Sequence, residues 1–399
     1  MGMTSMRVLP NGRTRDPLRQ RGTAQIARCP PRVCGGRLLA LMTVFLLSGS
    51  PSRAEERAFA PETVKLEKEF DSQFDEWVTS LAFSPDGTSV AAGSYQKLLL
   101  LPVPTNERDS ATREVRSLKF RNGFCRSLAF SRDGRQLAAG GYQRLIVYDL
   151  TSGSVTHLLK DHRAYVTGLS FGPAPDQLAS SSEDETTRLW NLAAEGGPTS
   201  RLIGEHRSPV MDVAISPDGQ LLATADGDDT RVTRPGRVTL WDAQTGELRF
   251  ELTPPEQAAT AVAFSPDGSL LAATSYDEKV YLYHTATGKP TGFFGKHARP
   301  TTDVVFLPTG GLLASGSGGL AVGKNDVKIW NAADGDEILT INQHAAPVTA
   351  VVLSPDGHWL ATAGQDKRIL LWDVSGLVRS ESPAEPATAN RPPAEAHKP

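Results

Sequence analysis

From Glu76 to Val374 the hydrophobic and polar positions fall into one arrangement seven times over: an apolar run, a short polar turn, a strand of small residues, then an aliphatic strand ending in or near an aromatic. The turn reads Ser84-Pro85-Asp86-Gly87, Ser131-Arg132-Asp133-Gly134, Ser216-Pro217-Asp218-Gly219, Ser265-Pro266-Asp267-Gly268 and Ser354-Pro355-Asp356-Gly357. Two copies are weaker, Gly172-Pro173-Ala174-Pro175-Asp176 and Leu307-Pro308-Thr309-Gly310, yet both keep their flanking strands. Proline presets φ, aspartate bonds its own backbone two residues on, and glycine takes the left-handed position, so each turn joins two antiparallel strands. Successive turns lie about 42 to 49 residues apart, the period of a four-stranded blade. First strands such as Val78-Thr79-Ser80-Leu81-Ala82-Phe83 alternate imperfectly, with extra small apolar residues, as expected where both faces are packed.

The third strand of the unit reads Leu189-Trp190-Asn191, Leu240-Trp241-Asp242, Ile329-Trp330-Asn331 and Leu371-Trp372-Asp373, with Val147-Tyr148-Asp149 and Leu282-Tyr283-His284 as softened copies. Over roughly residues 62 to 376 the chain thereby resembles the WD-repeat (WD40) β-propeller family. The resemblance implies an all-β fold, a single seven-bladed propeller with four antiparallel strands per blade. It also implies a hydrogen-bonded tetrad in each complete blade, built from a His before the first strand, a Ser or Thr on the second, an Asp in the next turn and the Trp. Two blades match at all four positions, with His162, Ser180, Asp184 and Trp190 in blade three and His344, Thr362, Asp366 and Trp372 in blade seven. These residues are structural in role. They satisfy polar groups inside an apolar blade, where each unpaired group costs about 1 to 3 kcal/mol.

Blade seven runs out after its third strand at Val374, and the segment Val64 to Phe70 alternates apolar and polar residues with no blade of its own to complete. By resemblance to the family, that N-terminal strand completes blade seven and closes the ring, which removes open sheet edges. The propeller is assigned to 55–376. The Pro, Ala and Glu-rich tail, 377–399, is expected to be disordered, having too little apolar surface to offset the entropy of ordering.

Residues 1–54 read as a signal peptide: a long basic stretch to Arg37, an apolar core from Leu38 to Leu47, and small residues before a cut after Ala54. Periplasmic or secreted location in a bacterium is the expectation, with no stable membrane insertion once the leader is removed. Residues 1–54 hold nine Arg, no Lys and one acidic residue, which leaves 33 basic against 44 acidic residues in 55–399, a formal charge of 33 less 44, or −11. That charge argues against a nucleic-acid partner. Cys125 is then the single cysteine of 55–399, with no partner for an internal disulfide, and it reads as a small core residue.

No His-Glu-x-x-His, phosphate loop or haem-attachment motif occurs, so no catalytic, cofactor or metal residues are assigned. Family topology instead places the loops before the first strand and between the second and third strands on one face around the channel. Seven positions before the turn serine stand Trp77, Phe124 and Tyr165 in blades one to three, where blades four to seven have Pro209, Ala258, Pro300 and Pro347. Tyr95 and Tyr142 occupy the tetrad-aspartate position of blades one and two, facing outward for binding or repacking the blade. The same face takes two insertions, 226–236 with Asp228 and Arg231, and 317–325. A cation could sit on Asp226, Asp228 and Asp229, but a solvated acidic loop fits that cluster better because a full ligand set is missing. The reading is a non-catalytic protein-binding scaffold, monomeric by itself, using Trp77, Tyr95, Phe124, Tyr142, Tyr165, Asp228 and Arg231. The alternatives are a small-ligand or carbohydrate-binding propeller and, third, an enzyme with a channel-mouth site.

Overall fold

Each Ser-x-Asp-Gly turn is held by its own side chains. In blade one Ser84 Oγ donates to Asp86 Oδ1 at 2.5 Å, the same oxygen accepts Thr88 N–H at 3.0 Å, and Gly87 N–H returns to Ser84 O at 2.9 Å. Gly87 lies at φ 69°, a conformation that a side chain at this position would strain. The pattern recurs at Ser131, Ser216, Ser265 and Ser354.

The computed structural model describes residues 64–70, 73–104, 114–204, 206–228, 234–253, 255–319 and 325–380. Within them the hairpins grow into seven sheets of four antiparallel strands. Blade one is Ser80–Phe83, Ser89–Ser94, Lys97–Pro102 and Arg116–Leu118, and the next five follow the same up-and-down order. Blade seven takes Val348–Leu353, Trp359–Gly364 and Ile369–Asp373 from the end of the chain and Lys65–Phe70 from its start. That fourth strand runs antiparallel to the third, with Leu66 opposite Trp372 and Phe70 opposite Ile369. Arg368 pairs with Glu69 across the same seam, and Lys367 Nζ donates to Asp75 O at 2.5 Å.

The core is a set of seven apolar layers, one between each pair of consecutive blades. Ala91 packs toward blade two and its neighbour Ala92 toward blade seven, so both faces of one strand are buried. This is why the inner strands read as almost unbroken apolar runs. Layer thickness is set by small residues: a Cβ at Gly140 would stand 2.3 Å from Ser127 Oγ and 2.8 Å from Val166 Cγ1 of the next blade. Cys125 belongs to such a layer and is fully buried, and burial pushes its thiol up to about 12, which removes it from thiolate chemistry.

The chain does not leave the propeller at residue 376. A short helix, Ser375–Ser380, follows, and Leu377 is fully buried in the layer between blades six and seven, beside Val374. The leader 1–54 and the tail from residue 381 lie outside the described residues.

Deleting the chain through Phe70 strips the outer edge of Ile369–Asp373. The expected result is self-association through that edge, seen as species larger than the parent's by size-exclusion chromatography with light scattering. A folded deletion of the parent's own oligomeric state would contradict it.

Candidate functional site

Blades one and two lack the tetrad histidine and tryptophan, and the backbone shows what replaces them. Tyr95 forms an isolated antiparallel bridge with Phe124 of the next blade, and Tyr142 one with Tyr165. Gln96 N–H donates to Gly123 O at 2.8 Å and Cys125 N–H to Ser94 O at 3.0 Å. Between blades two and three, Gln143 N–H donates to Ala164 O at 2.9 Å and Val166 N–H to Gly141 O at 3.0 Å. In place of a side-chain tetrad, these backbone bonds tie each blade to the next, and the tyrosine side chains face outward.

The five aromatics predicted from the sequence come together as two touching sets on this face. Phe124 lies 5.1 Å from Tyr95 and 6.5 Å from Trp77 between ring centroids, and Tyr142 lies 5.2 Å from Tyr165 in an edge-on pair. Trp77, Tyr95 and Tyr142 are 45, 47 and 49% exposed, while Phe124 and Tyr165 are half-buried beneath them. Arg126 stacks its guanidinium 4.9 Å above the Tyr165 ring and pairs with Glu183 at 2.6 Å. Trp77 also stands at the mouth of the central channel, with Tyr276, Pro300, Pro347 and Gln365 from the loops of other blades. Asp228 is half-buried and has a partner of its own; Arg231 and the middle of each insertion, 229–233 and 320–324, lie outside the described residues.

In blades three and seven the tetrads hold. In blade three Trp190 Nε1–H donates to Ser180 Oγ at 2.8 Å, Ser180 Oγ meets His162 Nε2 at 2.7 Å, and His162 Nδ1 meets Asp184 Oδ2 at 3.0 Å. The assignment that satisfies every atom has the serine donating to Nε2 and Nδ1–H donating to the carboxylate. Although burial pulls the Asp184 carboxyl upward, hydrogen bonds from His162, Thr186 and the Arg163 N–H hold it well below the usual range. Blade seven repeats the chain through Trp372, Thr362, His344 and Asp366.

Sequence spacing missed a third complete tetrad. In blade six Trp330 donates to Ser315 Oγ at 2.8 Å, His297 Nε2 meets that oxygen at 2.6 Å, and Nδ1 meets Asp326 at 2.7 Å. Asp326 arrives only after the 317–325 insertion, so the step from Ser180 to Asp184, taken from Ser315, falls short of it, and the step from Trp190 back to Asp184, taken from Trp330, passes it. Blade four is split: His206 reaches Asp226 at 3.1 Å and Thr187 of blade three at 3.1 Å, while Trp241 bonds Thr224 separately at 3.0 Å. Asp226 is therefore no part of a solvated acidic loop. It is buried and bridges His206 and Arg237, the latter at 2.8 Å. Among the described residues no three His, Cys, Asp or Glu side chains converge as a metal-ligand set.

The innermost strands line a channel of about 750 Å³. In blades three to seven the pairing register slips after the first residue of that strand, leaving Thr167, Met211, Thr260, Thr302 and Thr349 as the extra residue of a bulge. Three of these threonines reach the next blade: Thr167 Oγ1 donates to Val210 O at 2.5 Å, Thr260 to Thr301 O at 2.9 Å and Thr349 to Val78 O at 2.6 Å. Thr79 does the same to Cys125 O at 2.6 Å, whereas Thr302 Oγ1 is buried with no partner. Two aspartates add ties of opposite polarity. Asp212 accepts Val262 N–H of blade five at 3.0 Å, and Asp303 accepts Val351 N–H of blade seven at 2.7 Å. Burial pushes the Asp212 carboxyl up to about 7 against the pull of the Val262 N–H, with the Asp303 charge pushing the same way; burial likewise takes Asp303 to about 7.

The WD domain, G-beta repeat family matches residues 65–101, 153–191, 197–233, 246–284 and 335–373. Among curated proteins the chain is similar to a transcriptional corepressor of Arabidopsis thaliana, LEUNIG_HOMOLOG, at 28% identity over 48% of this chain and 22% of that protein. It is similar to an uncharacterized WD repeat-containing protein of Synechocystis at 26% identity over 54% of this chain and 70% of the other. A target of rapamycin complex subunit of Schizosaccharomyces pombe is 28% identical over 47% of this chain and 58% of its own length. The aligned part thus spans about a fifth of the plant corepressor, and the likeness reaches the repeats rather than that whole protein.

The channel bonds generate two predictions. Thr349→Val is expected to cost about 1 kcal/mol in urea unfolding, by stranding Val78 O, while Thr302→Val at the equivalent position is neutral or stabilising; equal effects would refute the cross-blade tie. Because the Asp212 carboxyl is raised above its unfolded value, its contribution to stability is full below about pH 4 and declines as pH rises toward about 7. The stability of the parent relative to Asp212→Asn is therefore expected to fall across that window in parallel melts. A difference that stays flat or rises would show that the carboxyl ionises normally in the fold.

Proposed function

Since the chain is a WD40-repeat β-propeller of seven blades, we propose that it is a non-catalytic scaffold that binds another protein through the face carrying Trp77, Tyr95, Phe124, Tyr142 and Tyr165. The observation that carries this reading is the exposure of three large aromatic side chains, close to half of each, over a floor of two more. Aromatic rings with a polar tip are typical anchors of protein interfaces, and a rigid backbone beneath them reduces the ordering cost of binding. The neighbouring polar groups are already engaged: each complete tetrad consumes its His, Asp and Ser or Thr in internal bonds, which leaves them structural. Similarity to a corepressor and to a subunit of a multiprotein complex supports a role in assembly without identifying a partner.

The sequence of residues 1–54 supports export with cleavage after Ala54, which would place the scaffold in the periplasm or outside the cell. The chain works as a monomer in this reading and uses neither cofactor nor metal.

Affinity capture from an extract of the native host, with the parent and the Trp77→Ala/Phe124→Ala variant side by side, tests the proposal. A specific protein is expected on the parent and at least about tenfold less on the variant, circular dichroism showing both folded. Equal capture would move the binding surface elsewhere.

A further inference from the structure

The three loops that supply aromatics to blades two and three each supply an arginine as well: Arg121 with Phe124, Tyr142 with Arg144, and Arg163 with Tyr165. Hydrogen bonds to backbone carbonyls hold these loops side by side. Asn122 Nδ2 donates to Arg144 O at 3.2 Å, Tyr142 N–H to Asn122 O at 3.0 Å, and Gln143 Nε2 to Arg163 O at 2.9 Å. All three arginines are exposed, and none forms an ion pair among the described residues.

Many arginines of the ring are engaged instead: Arg188, Arg237, Arg249 and Arg368 reach carboxylates, and Arg116, Arg132 and Arg201 reach backbone carbonyls, while Arg135 and Arg207 are exposed like the three of this cluster. The acids flanking the cluster are already engaged, Asp161 by Ser200, Glu183 by Arg126 and Asp184 by His162, which leaves Glu185 as the exposed acid of that turn. An arginine fork is built for bidentate carboxylate contacts, and three of them spaced among aromatic rings match a chain that alternates acidic and apolar side chains.

We propose that the partner segment seated on this face is an acidic peptide, its carboxylates on Arg121, Arg144 and Arg163 and its apolar side chains on Phe124, Tyr142 and Tyr165. The proposal rests on the scaffold reading above and adds the chemistry of the occupant. A nucleic acid is a poorer match, because residues 55–399 carry 33 basic against 44 acidic residues and repel a long polyanion beyond the patch.

The test is selection from a random-peptide display library on the purified chain, in parallel with Arg121→Glu/Arg144→Glu/Arg163→Glu and with Trp77→Ala/Phe124→Ala. Enriched peptides are expected to be acidic with interspersed apolar residues, to weaken about tenfold or more on the charge-reversed chain, and to weaken with added salt. An Arg121→Gln/Arg144→Gln/Arg163→Gln variant, with circular dichroism on each protein, separates lost contacts from lost folding. Neutral or basic peptides, or the same peptides on the charge-reversed chain, overturn the proposal. If such peptides still require Trp77 and Phe124, the scaffold reading survives that failure; if no peptide requires either set, both fall.

Discussion

Every blade of this ring has two apolar faces, and neither can be left in water. A lone four-stranded sheet of this sequence would expose Ala91 and Leu98 on one side and Ala92 and Leu99 on the other, all of them buried in the closed ring. A blade is therefore stable only between two neighbours, and a row of blades is stable only when its ends meet. Closure follows from the phase of the repeat. The first matched unit begins at Lys65, on the strand that completes blade seven, and the last begins at Gly335, just before the outer strand of blade six. Sequence unit and blade are offset by one strand, so the first unit lends its opening strand to the last blade.

Hydrophobic layers bring blades together without fixing their angle, and the polar bonds supply what apolar contact lacks. The channel threonines and aspartates act at the inner edge, each reaching the next blade's backbone, and the tetrads act inside the blades near the loop face. Where the tryptophan is lost, tyrosine takes over part of its role. Tyr148 and Tyr283 are fully buried and donate their hydroxyls to Lys119 O and Thr253 O. Blade five keeps Asp277 without a histidine, and Tyr281 OH donates to it at 2.5 Å, so the buried carboxylate remains bonded. The ring tolerates several ways of satisfying the same groups, and only Thr302 Oγ1, Gln136 Oε1 and Arg188 Nε are left buried without a partner in the described residues.

Blade number, turn chemistry and two of the tetrads were legible in the sequence because each depends on residues within one repeat. Ser84 through Ser89 define a hairpin without reference to anything distant. What escaped was what crosses an insertion or a blade boundary. Asp326 is separated from Ser315 by a loop whose length hides the equivalence, and Asp226 read as loop acid because it follows Thr224 sooner than Asp184 follows Ser180 and opens an insertion. The outward turn of Tyr95 and Tyr142 could not be read either, since it depends on backbone bridges to Phe124 and Tyr165 in the following blades. Leu377 looked like the start of the tail because one apolar residue after a glycine carries no period, and only the layer between blades six and seven gives it a place.

The location of the aromatics follows from the same need to satisfy polar groups. A tetrad aspartate has no freedom: it faces inward to its histidine and accepts the backbone N–H that follows that histidine, as Asp184 does from Arg163 at 2.7 Å. Once the histidine is gone, an inward carboxylate needs another donor, as Asp277 finds in Tyr281 of blade five, and where none stands the position changes toward a residue that does not need to face inward. Bridging the backbone between blades removes the remaining demand, and the side chain at that position then answers to solvent or to a partner. Blades one and two meet both conditions, and it is there that Tyr95 and Tyr142 stand half in water. Loss of an internal polar network and gain of an exposed aromatic surface are thus one structural event, which is why the exposed aromatic face and the degenerate repeats coincide in this chain.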